Sequence, residues 1–140
     1  MTQVLVPDTD FDRIVDDHFA AELRGDVDAT IATFTEDVEH DVVGSPAVSH
    51  GRAEAAAFYR GLFADLHLSQ IEKVRRYHGP DFVVDESIVH ARATGAPLGF
   101  AGDDRAVHFR LLHIFEIRDG AISRENAWLD VAAIAQQLAP

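Results

Sequence analysis

From Ala106 to Asp130 the chain alternates in polarity with a period of two, and the run doubles back at Arg118-Asp119-Gly120. In the stretch Phe109-Arg-Leu-Leu-His-Ile-Phe-Glu-Ile117, every second residue from Phe109 is apolar except His113. Side chains alternate sides along a strand, so Phe109, Leu111, His113, Phe115 and Ile117 form one row that must be covered. Asp-Gly at the reversal has the chemistry of a tight hairpin, which makes Ala106–Ile117 and Ala121–Asp130 paired strands. A hairpin with one greasy face is not stable alone. The rest of the chain has to supply the cover and further strands.

The cover comes from the first 65 residues, where the period changes to 3.6. Phe11, Ile14, Val15, His18, Phe19 and Leu23 recur at helical spacing, with Asp8, Thr9 and Asp10 as capping candidates and Gly25 as the stop. Asp26 and Asp28 can cap a short second helix carrying Val27, Ile31 and Phe34 on one face. Val38 to Val43 reads as a strand ending at Gly44-Ser45-Pro46, with Val38, His40 and Val42 sharing a side. An Ala-rich helix follows from Arg52 to about Asp65, its apolar flank formed by Phe58, Tyr59, Leu62 and Phe63. Two more strands are expected, Leu68–Tyr77, where Ile71 and Val74 break the alternation, and Phe82–Thr94, before a loop from Gly95 to Asp104. Val131–Leu138 forms a short helix or an extended tail. Helices followed by a hairpin-connected sheet predict an α+β domain over residues 1–140, with the helices on one face of a curved antiparallel sheet and a pocket between the layers.

Composition narrows the function classes. At 140 residues and 47% hydrophobic content the chain has enough apolar surface for a core, and with no cysteine that core holds without disulfides or thiolate metal sites. A net charge of −12 opposes phosphate backbones and anionic lipid, so neither nucleic acid nor membrane is an expected partner. No apolar run approaches the ~20 residues of a spanning helix, and Met1 to Asp8 lacks the layout of a secretory leader, so a soluble, cytoplasmic protein is expected. There is no His-Glu-x-x-His or His-x-His pair, His108 and His113 face opposite ways, and the Gly95–Gly102 glycines open no helix onto a phosphate. No metal and no other cofactor is expected.

Two stretches resemble the nuclear transport factor 2-like superfamily, which includes ketosteroid isomerases, SnoaL-like polyketide cyclases, scytalone dehydratase and limonene epoxide hydrolase. Gly25-Asp26 to Phe34, Asp37, Val38-Glu-His-Asp41 and His50-Gly51-Arg52 to Ala57-Phe58-Tyr59-Arg60 are similar to the front half of the isomerases. Leu112-His113 to Asp119-Gly120-Ala-Ile122, Trp128-Leu-Asp130 and Gln137-Leu138 are similar to the end of the cyclases. The resemblance implies a cone-shaped fold in which the helices and a strongly curved sheet enclose a pocket. It also implies pairing of two copies through the sheet, with Trp128 on the outer face as a dimer contact. The isomerases' catalytic base, tyrosine and aspartate fall on Val42, His18 and His113, so that set is absent. The cyclases' histidine falls on His113, but their aspartate falls on Ala127.

If Ala127 holds a pocket-facing position, period two turns Ser123, Glu125 and Leu129 to the same side, and Ile122, Arg124, Asn126 and Trp128 away. Glu125 then lies near His113, where burial would raise its pKa and the pair could exchange protons with a ligand. The alternatives are a satisfied core histidine and a structural ion pair. His18, on the first helix stripe, and His40, between Val38 and Val42, can reach the same cavity, and so can the Tyr59 hydroxyl. The face of His90 stays open; pointing inward, it would pair with His113 as in scytalone dehydratase. The expected catalytic set is therefore His113, Glu125, His18 and His40. The expected substrate contacts are Val42, Tyr59, His90, Phe109, Leu111, Phe115, Ala127 and Leu129. The expected ligand is a small apolar oxygenated molecule of polyketide, steroid or terpenoid type, isomerised or closed by an aldol-type step, or dehydrated. A ligand-binding or dimerisation module without turnover is the rival reading.

Overall fold

The computed structural model describes residues 9–140. The first helix, α1, spans Thr9–Leu23, so the Asp8 cap lies outside the described residues, while Asp10 and Asp12 sit in the first turn, where their charge suits the helix dipole. Gly25, at φ +63°, ends it: Gly25 N–H bonds Glu22 O at 2.9 Å and Asp26 N–H bonds Ala21 O at 3.1 Å. That paired closure needs a left-handed residue, which glycine supplies without strain. Asp26 then caps α2 (Val27–Ala32) by accepting from the Ala29 amide at 3.0 Å.

Phe34 is not on the second helix as its spacing predicted; it opens β1 (Phe34–Val42). The helix stops at Thr33, and Phe34 turns fully inward beside its strand partner Ile122, where its ring is out of water. A two-residue strand, β2 (Ser49–His50), leads into α3 (Gly51–Asp65). Then come β3 (His67–His78), β4 (Phe82–Ala93), a single 3-10 turn at Pro97–Gly99, β5 (Arg105–Arg118), β6 (Ala121–Leu129) and α4 (Val131–Leu138). Asp130 caps α4 by accepting from the Ala133 amide at 3.1 Å, so the tail is helical.

The six strands form one open sheet in the order β2-β1-β6-β5-β4-β3. Every neighbouring pair is antiparallel except β1 with β6, which is parallel. The sheet is antiparallel as expected apart from that pair. The long path through α3 to β5 lets β1 enter beside β6 in the same direction. Bulges interrupt β3 between Leu68 and Gln70 and between Lys73 and Arg75, which is why Ile71 and Val74 break the alternation.

Another bulge lies on β6, just before the site residues. On β5, Glu116 and Ile117 are adjacent, but their β6 partners are Arg124 and Ile122, so Ser123 is the extra residue. Ile122, predicted to face outward, is fully buried, and Ser123, predicted to face inward, is the residue looped out. Glu125, Ala127 and Leu129 keep the predicted side.

Helices α1 and α3 cover the inner face, where Val15, Phe19 and Tyr59 pack with Val83, Phe115 and Ile117. A second apolar cluster lies towards the other end, where Ile134 and Leu138 of α4 meet Val107 and Phe109. On the outer face Leu112, Trp128, Val74 and Tyr77 are exposed.

Candidate active site

A cavity of about 70 Å³ opens between the two apolar clusters, and its polar wall is Glu22, His40, Tyr59, His113 and Glu125. Glu125 is the hub and is 1% exposed. Its Oε1 lies 3.0 Å from His113 Nε2, and its Oε2 lies 2.8 Å from the Tyr59 hydroxyl, 3.4 Å from His18 Nε2 and 3.5 Å from His40 Nε2. Four elements deliver these partners: α1 brings His18, β1 His40, α3 Tyr59 and β5 His113. Strand pairing sets two of the approaches, because His40 on β1 is the partner of Glu125 itself and His113 on β5 is the partner of Ala127, two residues further on.

The expected rise in the Glu125 pKa is corrected. Burial does push it up, but the positive charge of His18 and the hydrogen bonds from His113 and His18 hold the carboxyl well below its usual range. Glu125 is therefore an anion. It orients its neighbours rather than trading its own proton.

His18 has a determined hydrogen-bonding pattern. The Thr33 hydroxyl donates to Thr30 O at 2.7 Å, so at 2.8 Å from His18 Nδ1 it accepts a proton from that nitrogen. Nε2 then faces Glu22 Oε1 at 2.9 Å as well as Glu125. Burial would lower the imidazole pKa, but the Glu125 and Glu22 charges outweigh it and push it up to about 10. His18 is an imidazolium, fully buried behind the carboxylates, and not part of the cavity wall. The expectation that it touches the ligand is corrected: the stripe of α1 that carries it packs onto Phe34 and Phe115, and Glu22, one turn on, takes the place at the cavity.

Glu22 was not anticipated. It is 6% exposed, on the buried face of α1, and accepts from the Tyr59 hydroxyl at 3.0 Å. Its signal in the sequence is an acid four residues after a stripe histidine, the spacing that places two side chains together on a helix. Tyr59 stays a phenol, since burial and both carboxylates raise its pKa well above the usual value. His40 is neutral, because its burial outweighs the nearby carboxylates.

His113 is 3% exposed, and its ring stacks on Phe115 with centroids 4.7 Å apart. An ionised Glu125 at Nε2 fixes the tautomer of the neutral His113 ring: Nε2 carries the proton and Nδ1 is the lone-pair nitrogen. Nδ1 has no hydrogen-bond partner among the described residues. A buried acceptor left unpaired costs ~1–3 kcal/mol, a cost that a donor entering the cavity relieves.

Among the expected contacts, Val42, Tyr59, Phe109, Leu111, Ala127 and Leu129 line the cavity. Phe115 does not: it is fully buried behind His113, in the cluster under α1. His90 does not either. The inner row of β4 is Val83, Asp85, Ser87, Val89 and Ala91, so His90 points to the other face, where it stacks on His108 and bonds Glu72 at 3.0 Å. The scytalone dehydratase pairing with His113 is therefore absent. Donor atoms of His18, Glu22 and Glu125 lie within 4.8 Å of one another, close enough for one ion, but they are bonded to each other and to Tyr59.

An α+β layer pair with a carboxylate–imidazole wall in its pocket defines the class of small pocket proteins that the sequence resembled. Residues 15–125 match the SnoaL-like domain, and the chain belongs to that family within the nuclear transport factor 2-like superfamily. Solved structures agree in fold. A protein from Jannaschia sp. CCS1, provisionally named a SnoaL-like polyketide cyclase, is 21% identical with TM-score 0.86, and 99% of each chain is covered. TsrD from Streptomyces laurentii is 21% identical with TM-score 0.82, over 96% of this chain and 98% of that one. A limonene epoxide hydrolase-like epoxide hydrolase of M. tuberculosis is 21% identical with TM-score 0.73, over 93% and 90%. At such identities the likeness establishes the fold and leaves the reaction to the residues. A comparison with curated proteins finds no match.

Proposed function

We propose that this protein is an acid–base enzyme in which Nδ1 of His113 moves a proton on a small, largely apolar, oxygenated molecule. The observation that carries the reading is the Glu125–His113 pair: a buried anion fixes the ring tautomer at 3.0 Å and leaves an unpartnered lone pair on a residue of the cavity wall. When Nδ1 takes a proton the ring becomes an imidazolium, and Glu125 is already placed to stabilise it. Neutral His40, on the same wall, serves the oxygen where charge develops, and Tyr59 and His18 hold Glu125 in place from behind.

Isomerisation or aldol-type closure is the preferred reaction. Dehydration ranks lower because His90 lies on the opposite face. A volume of about 70 Å³ is small beside the ~300–1,000 Å³ of sites for drug-sized ligands, so the substrate is short or inserts only its reacting end. Two copies pair through the outer sheet face, where Trp128 and Leu112 are exposed.

Deuterium uptake beside the carbonyl of small hydroxy ketones tests the activity. Uptake should follow protonation of one base and be abolished in His113→Ala, while the outward-facing His108→Ala behaves as wild type. Equal uptake in both variants would leave a binding module.

A further inference from the structure

The donors in and behind the polar wall are almost all committed within the protein. The Tyr59 hydroxyl serves Glu125 and Glu22 at 2.8 and 3.0 Å. His18 gives Nδ1–H to Thr33 and Nε2–H to Glu22. His113 gives Nε2–H to Glu125. Neutral His40 has one N–H to offer and no bond tighter than its 3.5 Å approach to Glu125. The acceptors are in surplus: two carboxylates, and the partnerless Nδ1 of His113.

A ligand oxygen that can only accept, as in a ketone, ether or epoxide, has the single N–H of His40 to meet and finds lone pair against lone pair at His113. A hydroxyl meets an acceptor that nothing else among the described residues satisfies. Carboxylate and phosphate ligands are opposed by Glu22 and Glu125, and the remaining wall, with Leu66, Leu68 and Val89, calls for hydrocarbon. We propose that the cavity selects neutral hydroxyl compounds with a short hydrocarbon skeleton, docking the hydroxyl as a donor on Nδ1 of His113.

The proposal deepens the reading of His113 as the proton-moving base and rests on it for the choice of atom. Its content is a binding preference, which can be measured without turnover.

The test compares 2-butanol with 2-butanone, matched in size and skeleton, in NMR titrations of the whole chain labelled with ¹⁵N-histidine. 2-Butanol should bind about tenfold tighter or more, a difference of ~1.4 kcal/mol. Its binding should also move the unprotonated ring nitrogen of His113 upfield, as expected for a lone pair that gains a hydrogen bond. In a folded His113→Phe variant the preference should fall to near unity. The wild-type nitrogen shift decides the matter even if that variant does not fold. Three results overturn the proposal: a ketone that binds as tightly as the alcohol, alcohol binding that leaves the His113 nitrogen unmoved, and no alcohol binding up to about 10 mM. A preserved preference in a protein that never exchanges protons would overturn the proposed reaction and leave this selectivity standing.

Discussion

Glu125 makes the cost and use of a buried carboxylate concrete. Among the described residues it has no arginine or lysine partner; three imidazoles and a phenol share its two oxygens. Glu125→Gln keeps the volume but removes the charge that fixes the His113 tautomer. We expect activity to fall about a hundredfold or more and stability by ~3 kcal/mol, read from steady-state rates and urea unfolding. The same substitution should bring the His18 pKa down from about 10 towards 6.5, followed by ¹⁵N NMR. The pH dependence of stability follows from the two shifts. The folded-state pKa of His18 is raised, so its stabilisation is complete below 6.5 and is lost as pH rises towards about 10. That of Glu125 is lowered, so its contribution is present above 4.5 and is lost as pH falls through the folded value. Urea midpoints should therefore decline on both flanks, and His18→Gln should flatten the alkaline one.

At the scale of elements, short local signals act through backbone geometry. Asp26 is the clearest, since its carboxylate holds the first turn of a six-residue helix too short to form by propensity alone. Asp26→Ala should cost about 1 kcal/mol, measured by urea unfolding, with no change in His113 resonances. The β6 bulge carries more consequence. Because Ser123 is looped out, Ile122 and Glu125 both face inward although they are three residues apart. Deleting Ser123 leaves them two apart on a regular strand, which already puts both on one side, so the bulge's distinct contribution is local twist and the pairing of β6 with β1. We expect ΔSer123 to fold with Glu125 still buried but with β1 shifted, read as lost coupling between His40 and Glu125 in ¹⁵N NMR. Sequence alternation identified Glu125, Ala127 and Leu129 correctly because they lie beyond the bulge, and misplaced Ile122 because it lies before it.

For the whole molecule, the outer sheet face and the inner cavity make separate demands on the same strands. On β5, inward residues build the site while Arg110, Leu112 and Glu116 alternate outward. If two copies meet on the outer face, Trp128→Glu should give a monomer in sedimentation velocity, with ligand binding in the cavity retained because Trp128 does not line it. A dimer that persists unchanged would place the contact elsewhere. Among the described residues no helix is long and apolar enough to cross a membrane.

The sequence alone determined the layer plan and the inward row of β5, because periods of 3.6 and 2 report which side of a helix or strand must leave water. It also marked His113 and Glu125, the second through resemblance. It did not reveal which way His90 points, that Phe115 sits behind the site, that His18 is a charged support or that Glu22 reaches the cavity. Those were decided by tertiary structure, since each depends on where α1, β1 and α3 come to rest against a sheet whose register is broken by bulges. The charge states follow the same rule: a carboxylate pKa is set by the imidazoles that surround it in space, and those arrive from positions 18, 40 and 113.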